Sequence, residues 1–224
     1  MLVLQVGGSI AGLMHGVVLK RLGHNVRILE RSPSDLLHDQ GAGVSAMEKV
    51  LEFLSKHDLS QQPRFVPSAQ IQFLDRAANI VKIWKVPLSM TSWNTLYYRL
   101  RANFDGLASD YVPRTEDLRR ERDGKVKYEH GVVVTGLQCD DEVATVSFEE
   151  LNGQTGSLQA DLVIAADGPS STIRKTLSPG TRRKYVGYVA WRGTVLERDV
   201  SESAKKVFNQ NLTYYVHKGA TILL

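Results

Sequence analysis

The run Gly7-Gly8-Ser9-Ile10-Ala11-Gly12 and a single acid beyond it, Glu30, carry the clearest chemistry in the chain. Glycines at a chain reversal let backbone amides approach a phosphate, and a carboxylate at this remove can accept hydrogen bonds from the hydroxyls of a ribose. Gly7 suits the tight turn and Gly12 a close helix–strand contact. Ser9 stands where the usual pattern has its second glycine. Its side chain is small, and its hydroxyl can itself donate to a phosphate at the start of the helix that Ile10 and Ala11 open.

The elements that must position these residues read directly from periodicity. Leu2 to Val6 is a mostly apolar strand, Ile10 to Leu22 follows helical spacing, and Asn25 to Glu30 is a second strand ending in the acid. Strand, glycine turn, helix, strand and acid in that order make a Rossmann fingerprint with one change at Ser9. Glu30 would repel a 2′-phosphate, which points to FAD or NAD in this pocket and away from NADP. The plainer alternative for Glu30 is a solvated carboxylate at a strand end.

Two further places can hold a ligand or can be ordinary turns. Gly41 and Gly43 precede a helix expected over 46–56. The run 162–166 (LVIAA) reads as a strand buried on both faces of a parallel sheet. It ends in Asp167-Gly168, ahead of a serine-capped helix start that contains Arg174. The C-terminal end of a parallel strand is where α/β sheets bind ligands. Between these lie a hairpin around 75–78, a helix over 95–107 with Arg101 and Asp105 on a face that excludes Arg99, and strands over 126–128, 132–137, 143–148 and 156–158.

Composition excludes several classes. The 224 residues carry 28 Lys and Arg against 24 Asp and Glu, a net charge of +4, with 42% hydrophobic residues, which is ordinary for a globular protein. Neither in the polar stretch 109–127 nor at Thr181-Arg182-Arg183-Lys184 do basic residues interleave with aromatics, so no nucleic acid is expected as a partner. The lone Cys139 excludes an internal disulfide and is expected in the core of a cytoplasmic protein. Six histidines without metal-ligand spacing argue for no metal. Met1 to Leu19 lacks the positive start of a signal peptide and contains Gln5, Ser9 and His15, so no leader and no transmembrane segment is expected.

Taken together, Gly7-Gly8-Ser9, Gly41-Ala42-Gly43, the Ser92-Trp93 to Arg101 helix entry, Asp167-Gly168 and Tyr188-Val189-Ala190-Trp191-Arg192-Gly193 resemble the FAD-dependent aromatic hydroxylases. The similarity is greatest to the branch of these monooxygenases that acts on dihydroxypyridines and includes fungal relatives. The resemblance implies an α/β fold, with a Rossmann-like FAD-binding domain over 1–69 and 91–177 and an incomplete, β-rich substrate domain over 70–90 and 178–224. It implies FAD as cofactor, NADH or NADPH as co-substrate, and O2 and a small aromatic molecule as substrates, in secondary metabolism. The oxygen would pass through a C4a-hydroperoxide of the flavin.

Residue by residue, Gly7, Gly8, Ser9, Ala11, Gly12 and Glu30 would hold the ADP half of FAD, and Gly41 and Gly43 would approach its flavin side. Arg99 would lie near the pyrophosphate, and Asp167, Gly168 and Arg174 would match the motif that serves both FAD and NAD(P)H. Arg192 would sit on a strand lining the substrate and flavin face, either as the catalytic cation or as a paired surface arginine. Tyr185, Tyr188, Trp191, Tyr214 and Tyr215 would be pocket walls or, for most of them, core aromatics. The family's second flavin motif, Gly-Asp-Ala, is absent from this sequence. Two further expectations follow: 222–224 forms an exposed apolar edge suited to self-association, and the alternative to an active monooxygenase is a truncated, non-catalytic dinucleotide-binding remnant. A small NAD-dependent dehydrogenase is a third reading, one that leaves the Asp167-Gly168 motif unexplained.

Overall fold

The computed structural model describes residues 1–34, 43–60 and 65–224. In chain order the elements are β1 (Leu2–Val6), α1 (Ile10–Arg21), β2 (Asn25–Glu30), β3 (Gly43–Ala46), α2 (Glu48–His57), β4 (Val66–Ser68), β5 (Gln70–Leu74), β6 (Ile80–Trp84), β7 (Leu88–Ser92) and α3 (Trp93–Asp105). They continue with β8 (Val126–His130), β9 (Val132–Cys139), β10 (Ala144–Glu150), β11 (Thr155–Ala160), β12 (Leu162–Ala165), α4 (Thr172–Leu177), α5 (Glu202–Phe208), β13 (Asn211–His217) and β14 (Ala220–Leu223). They fall into two compact units: Met1–Gln40, Lys56–Gln62 and Asn94–Val189, then Gly41–Ser55, Pro63–Trp93 and Ala190–Leu224. The second unit therefore includes 41–55, 63–69 and 91–93, which the resemblance gives to the FAD-binding domain, and lacks 178–189.

The first unit is built on a parallel sheet in the order β12-β1-β2-β8. Val3 faces Leu162 on one side and Val26 on the other. With a strand on each side and both faces covered, Val3, Leu4 and Gln5 of β1 are fully buried. One face packs against the antiparallel sheet β11-β10-β9 and α4, through Leu4, Val6, Leu29, Val132, Val134, Val146 and Ile173. Each such side chain stabilises the fold by roughly 1.5–3 kcal/mol. On the α1 and α3 side, Gly16 of α1 admits Phe104 of α3 and Ile28 of β2 at close range. A side chain at Gly16 would hold them apart.

The second unit contains an antiparallel sheet β3-β7-β4 and a sheet in the order β14-β13-β5-β6, in which β13 and β5 run parallel. Gln72 of β5, buried under α5, donates to the Val207 carbonyl and to Thr213 of β13. The hairpin between β5 and β6 forms as expected: the Asp75 carboxylate accepts from the amides of Ala77 and Asn79. The 222–224 stretch is also as expected, since β14 is an edge strand with Ile222, Leu223 and Leu224 at least half exposed.

Three expectations are corrected. The 162–166 strand is not buried on both faces. β12 is the outer strand of its sheet, with Val163 against the core while Leu162 and Ala165 are exposed. Its apolar run serves one face and an edge. Cys139 is exposed at the end of β9, where that strand runs past the core. Residues 181–196 form neither helix nor strand. Their alternation of tyrosines, valines and Trp191 has strand character, but strand character needs a partner ladder, and no described strand pairs with them. Tyr185, Tyr188 and Trp191 are therefore exposed, Trp191 to 93%, and are not core aromatics. No helix among the described residues is long and apolar enough to cross a membrane.

Candidate functional site

The chemistry gathers at the C-terminal ends of β12, β1 and β2. Gly7 leaves β1 with φ +97°, a conformation that side chains rarely adopt, and a Cβ there would lie 2.4 Å from the Ala166 carbonyl oxygen. At Gly8 a Cβ would lie 2.1 Å from the Tyr128 hydroxyl, and at Gly12 2.1 Å from the Gly7 carbonyl oxygen. The turn thus excludes side chains at all three glycines. Ser9 caps α1 through its backbone, accepting from the Leu13 amide at 2.9 Å, while its side chain makes no capping bond. The first turn of α1 carries no acid and the last carries Lys20 and Arg21, so the positive end of the helix dipole is left for an external anion.

Glu30 closes the other side. It is 8% exposed, with one carboxylate oxygen 2.8 Å from the Gly8 amide and the other 2.9 Å from the Ser32 amide. Each oxygen keeps a second lone pair, which leaves capacity for the two hydroxyls of a ribose. Asp167 lies beneath Gly7, its Cα within 2.9 Å of the point a Gly7 Cβ would occupy. One of its oxygens accepts from the amides of Thr172 and Ile173 at 2.7 and 3.4 Å, and the other is buried with no partner among the described residues. Gly168 has φ +74°, and Arg174 donates to the carbonyls of Gly168 and Pro169. The structure therefore brings Gly7, Gly8, Ser9, Ala11, Gly12, Glu30, Asp167, Gly168 and Arg174 together in one unit.

Other expected site residues have other surroundings. Arg99 is 1% exposed and paired with Asp58 at 2.8 Å, with the Ser60 carbonyl at 3.3 Å. It is a buried structural ion pair, and a helix arginine whose neighbours lie 41 positions away gives no sequence signal of it. Gly43 begins β3, paired with Ser92 of β7 in the second unit, and a Cβ there would meet nothing within 4 Å among the described residues. Gly41 lies outside the described residues. Arg192 sits in the irregular 181–196 segment, not on a strand, because no described strand is there to pair with it.

Several residues that sequence reasoning missed support the turn. Gln5, a polar residue in the central strand, is fully buried and donates to the Gly12 carbonyl, tying the strand to the start of α1. Its polarity within an apolar run was a readable signal. Tyr128 of β8 donates to the Gly8 carbonyl at 2.9 Å, a contact spanning 120 positions. Burial, then Tyr97 and the Glu30 charge, pushes the Tyr128 phenol far above its ordinary range, and it stays protonated. Arg101 lies 3.7 Å over the Tyr128 ring, and its guanidinium is held by Tyr97 and Asp105. Burial alone opposes the charge on Arg101, but Asp105 and Tyr97 reverse that, and its pKa shifts upward. Among the described residues no group of three or more metal-ligating side chains occurs.

Residues 185–224 match the model of the family described as FAD binding domain-like. The chain is 28% identical to 2,6-dihydroxypyridine 3-monooxygenase of Paenarthrobacter nicotinovorans, over 93% of this chain and 47% of that protein. It is 24% identical to 6-hydroxynicotinate 3-monooxygenase of Bordetella bronchiseptica, over 84% and 46% respectively. The solved structure of 2,6-dihydroxypyridine-3-hydroxylase from Arthrobacter nicotinovorans superposes with a TM-score of 0.78 at 27% identity, covering 99% of this chain and 50% of that one. HpxO of Klebsiella pneumoniae, solved with FAD, shares the fold, with a TM-score of 0.70 over 100% of this chain and 53% of its own. In sequence and fold the chain is similar to the FAD-dependent aromatic hydroxylases, and it spans about half the length of the curated relatives it matches.

Proposed function

We propose that this chain is the FAD-binding portion of a monooxygenase that hydroxylates an aromatic or heteroaromatic small molecule, with NADH or NADPH as reductant and O2 as oxidant. The observation that supports it best is the convergence of a side-chain-free glycine turn, the uncompensated N-terminus of α1 and the nearly buried Glu30 at one end of a parallel sheet. These groups fit the ADP half of FAD. The backbone at Gly7 to Gly12 and the Ser9 hydroxyl suit the pyrophosphate, and Glu30 suits the ribose hydroxyls. The buried, unpartnered oxygen of Asp167 is an acceptor available to a hydroxyl from the same ligand.

Bound FAD, reduced by NAD(P)H, supplies the transfer of one oxygen atom from O2 to an electron-rich ring. The chain's own residues hold and orient the dinucleotide. Arg192 has no assigned role in this reading, because the segment that carries it is irregular and exposed. That exposure, with Trp191 beside it, favours a second reading, dinucleotide retention without hydroxylation. Reconstituting the purified chain with FAD and recording its visible spectrum separates the two. A yellow protein that bleaches with NAD(P)H without oxygen and recovers its colour in air supports the monooxygenase. A yellow protein that NAD(P)H leaves unchanged supports retention alone, and a colourless one after desalting contradicts both.

A further inference from the structure

Gly8 is held from both sides, its amide by Glu30 at 2.8 Å and its carbonyl by the Tyr128 hydroxyl at 2.9 Å. The peptide linking Gly8 to Ser9 is trans, as are all those described, so its C=O and N–H point in opposite directions. A Gly8 carbonyl drawn toward Tyr128 therefore turns the Ser9 amide away from Tyr128 at the start of α1. We propose that Tyr128 is a positioning residue of the dinucleotide site: by fixing the Gly8 carbonyl it aims the Ser9 amide at the pyrophosphate and holds the Gly8 amide on Glu30. This inference rests on the FAD-binding reading above and extends it to a residue far from the glycine motif in sequence.

The surroundings of Tyr128 hold it in that task. Arg101 donates to the Tyr97 hydroxyl at 2.8 Å and stacks over the Tyr128 ring at 3.7 Å, and Asp105 anchors the guanidinium at 2.9 Å. An arginine only donates, and a tyrosine has one hydroxyl proton. Tyr128 spends its proton on Gly8, so in the 3.4 Å contact between the two hydroxyls Tyr97 is the donor. Polarity then runs from the Arg101 cation through Tyr97 to Tyr128 and on to the Gly8 carbonyl. Tyr97 is fully buried and Arg101 nearly so, which keeps water from competing for these partners. A phenol is protonated at physiological pH, and burial of Tyr128 pushes its pKa further up, so the donor persists.

The test uses the 224-residue chain with FAD and, separately, ADP, both followed by titration calorimetry. Tyr128→Phe removes one hydroxyl and keeps the ring under Arg101. We expect it to weaken both ligands about five- to tenfold, the range of one well-placed hydrogen bond. Glu30→Gln combined with it is expected to lose less than the product of the two separate losses, because both residues act through Gly8. Unchanged affinity in Tyr128→Phe, or losses that simply multiply, would overturn the positioning role. If Tyr128→Phe does not fold, Tyr97→Phe decides in its place: a two- to threefold loss of ADP affinity supports the chain of donors, and no loss overturns it. A wild-type chain that binds ADP but not FAD contradicts the flavin reading while leaving this inference measurable with ADP. One that binds neither overturns both.

Discussion

At the scale of single residues, the glycine turn and the buried Arg99–Asp58 ion pair respond to substitution for different reasons. A methyl group at Gly8 would lie within 2.4 Å of both the hydroxyl oxygen and the ring carbon of Tyr128, so Gly8→Ala must displace β8 or the turn itself. At Gly43 a Cβ meets nothing within 4 Å among the described residues. Gly8→Ala is therefore expected to abolish FAD retention and to destabilise the chain by about 1–3 kcal/mol, whereas Gly43→Ala stays within about 0.5 kcal/mol of wild type in urea denaturation. Arg99 gives a second contrast. Asp58→Ala removes the carboxylate paired with this buried guanidinium and is expected to cost about 3–5 kcal/mol. Glycines, Glu30 and the Asp167-Gly168 turn were legible because each works through local backbone geometry. The ion pair of Arg99 was not legible because Asp58 lies 41 positions away in a loop, and Tyr128 was missed because its contact with Gly8 spans 120 positions.

At the scale of elements, strand pairing and helix caps decide what was readable. β1, α1 and β2 were legible from the apolar runs and the glycine turn between them, and β5 was placed to the residue. The 162–166 run was placed correctly but misjudged in burial, because an apolar run does not say whether a strand lies inside a sheet or at its edge. The 188–193 segment failed for a related reason: strand propensity is realised only against a partner. Two tests belong here. The Ser171 hydroxyl accepts from the Arg174 amide at 2.8 Å at the start of α4, so Ser171→Ala is expected to cost about 1 kcal/mol in thermal unfolding. Glu129 of β8 is clasped by Arg27 of β2 and by Lys127. Burial opposes its charge, but those two partners win and hold its pKa below the ordinary 4.5. A depressed carboxylate stabilises the fold above its unfolded pKa, and that stability is lost as pH falls through the folded one. Stability measured against pH should therefore drop below about pH 4.5 less steeply in Glu129→Gln than in wild type.

At the scale of the whole molecule, the chain has one unit that carries the dinucleotide groups and another whose sheet ends in the exposed edge strand β14. Exposed apolar edges of this kind are sites of pairing between chains. Light scattering is expected to show self-association that Ile222→Lys reduces, and equal scattering from both proteins would contradict it. The central claim, that Glu30 and the glycine turn hold the ADP half of FAD, is tested most directly by flavin-fluorescence titration of wild type and Glu30→Ala. Wild type is expected to bind, and the variant to bind more weakly by about 1.5–3 kcal/mol, the worth of hydrogen bonds to a charged acceptor. Equal FAD affinity in the two proteins would contradict the placement of the site.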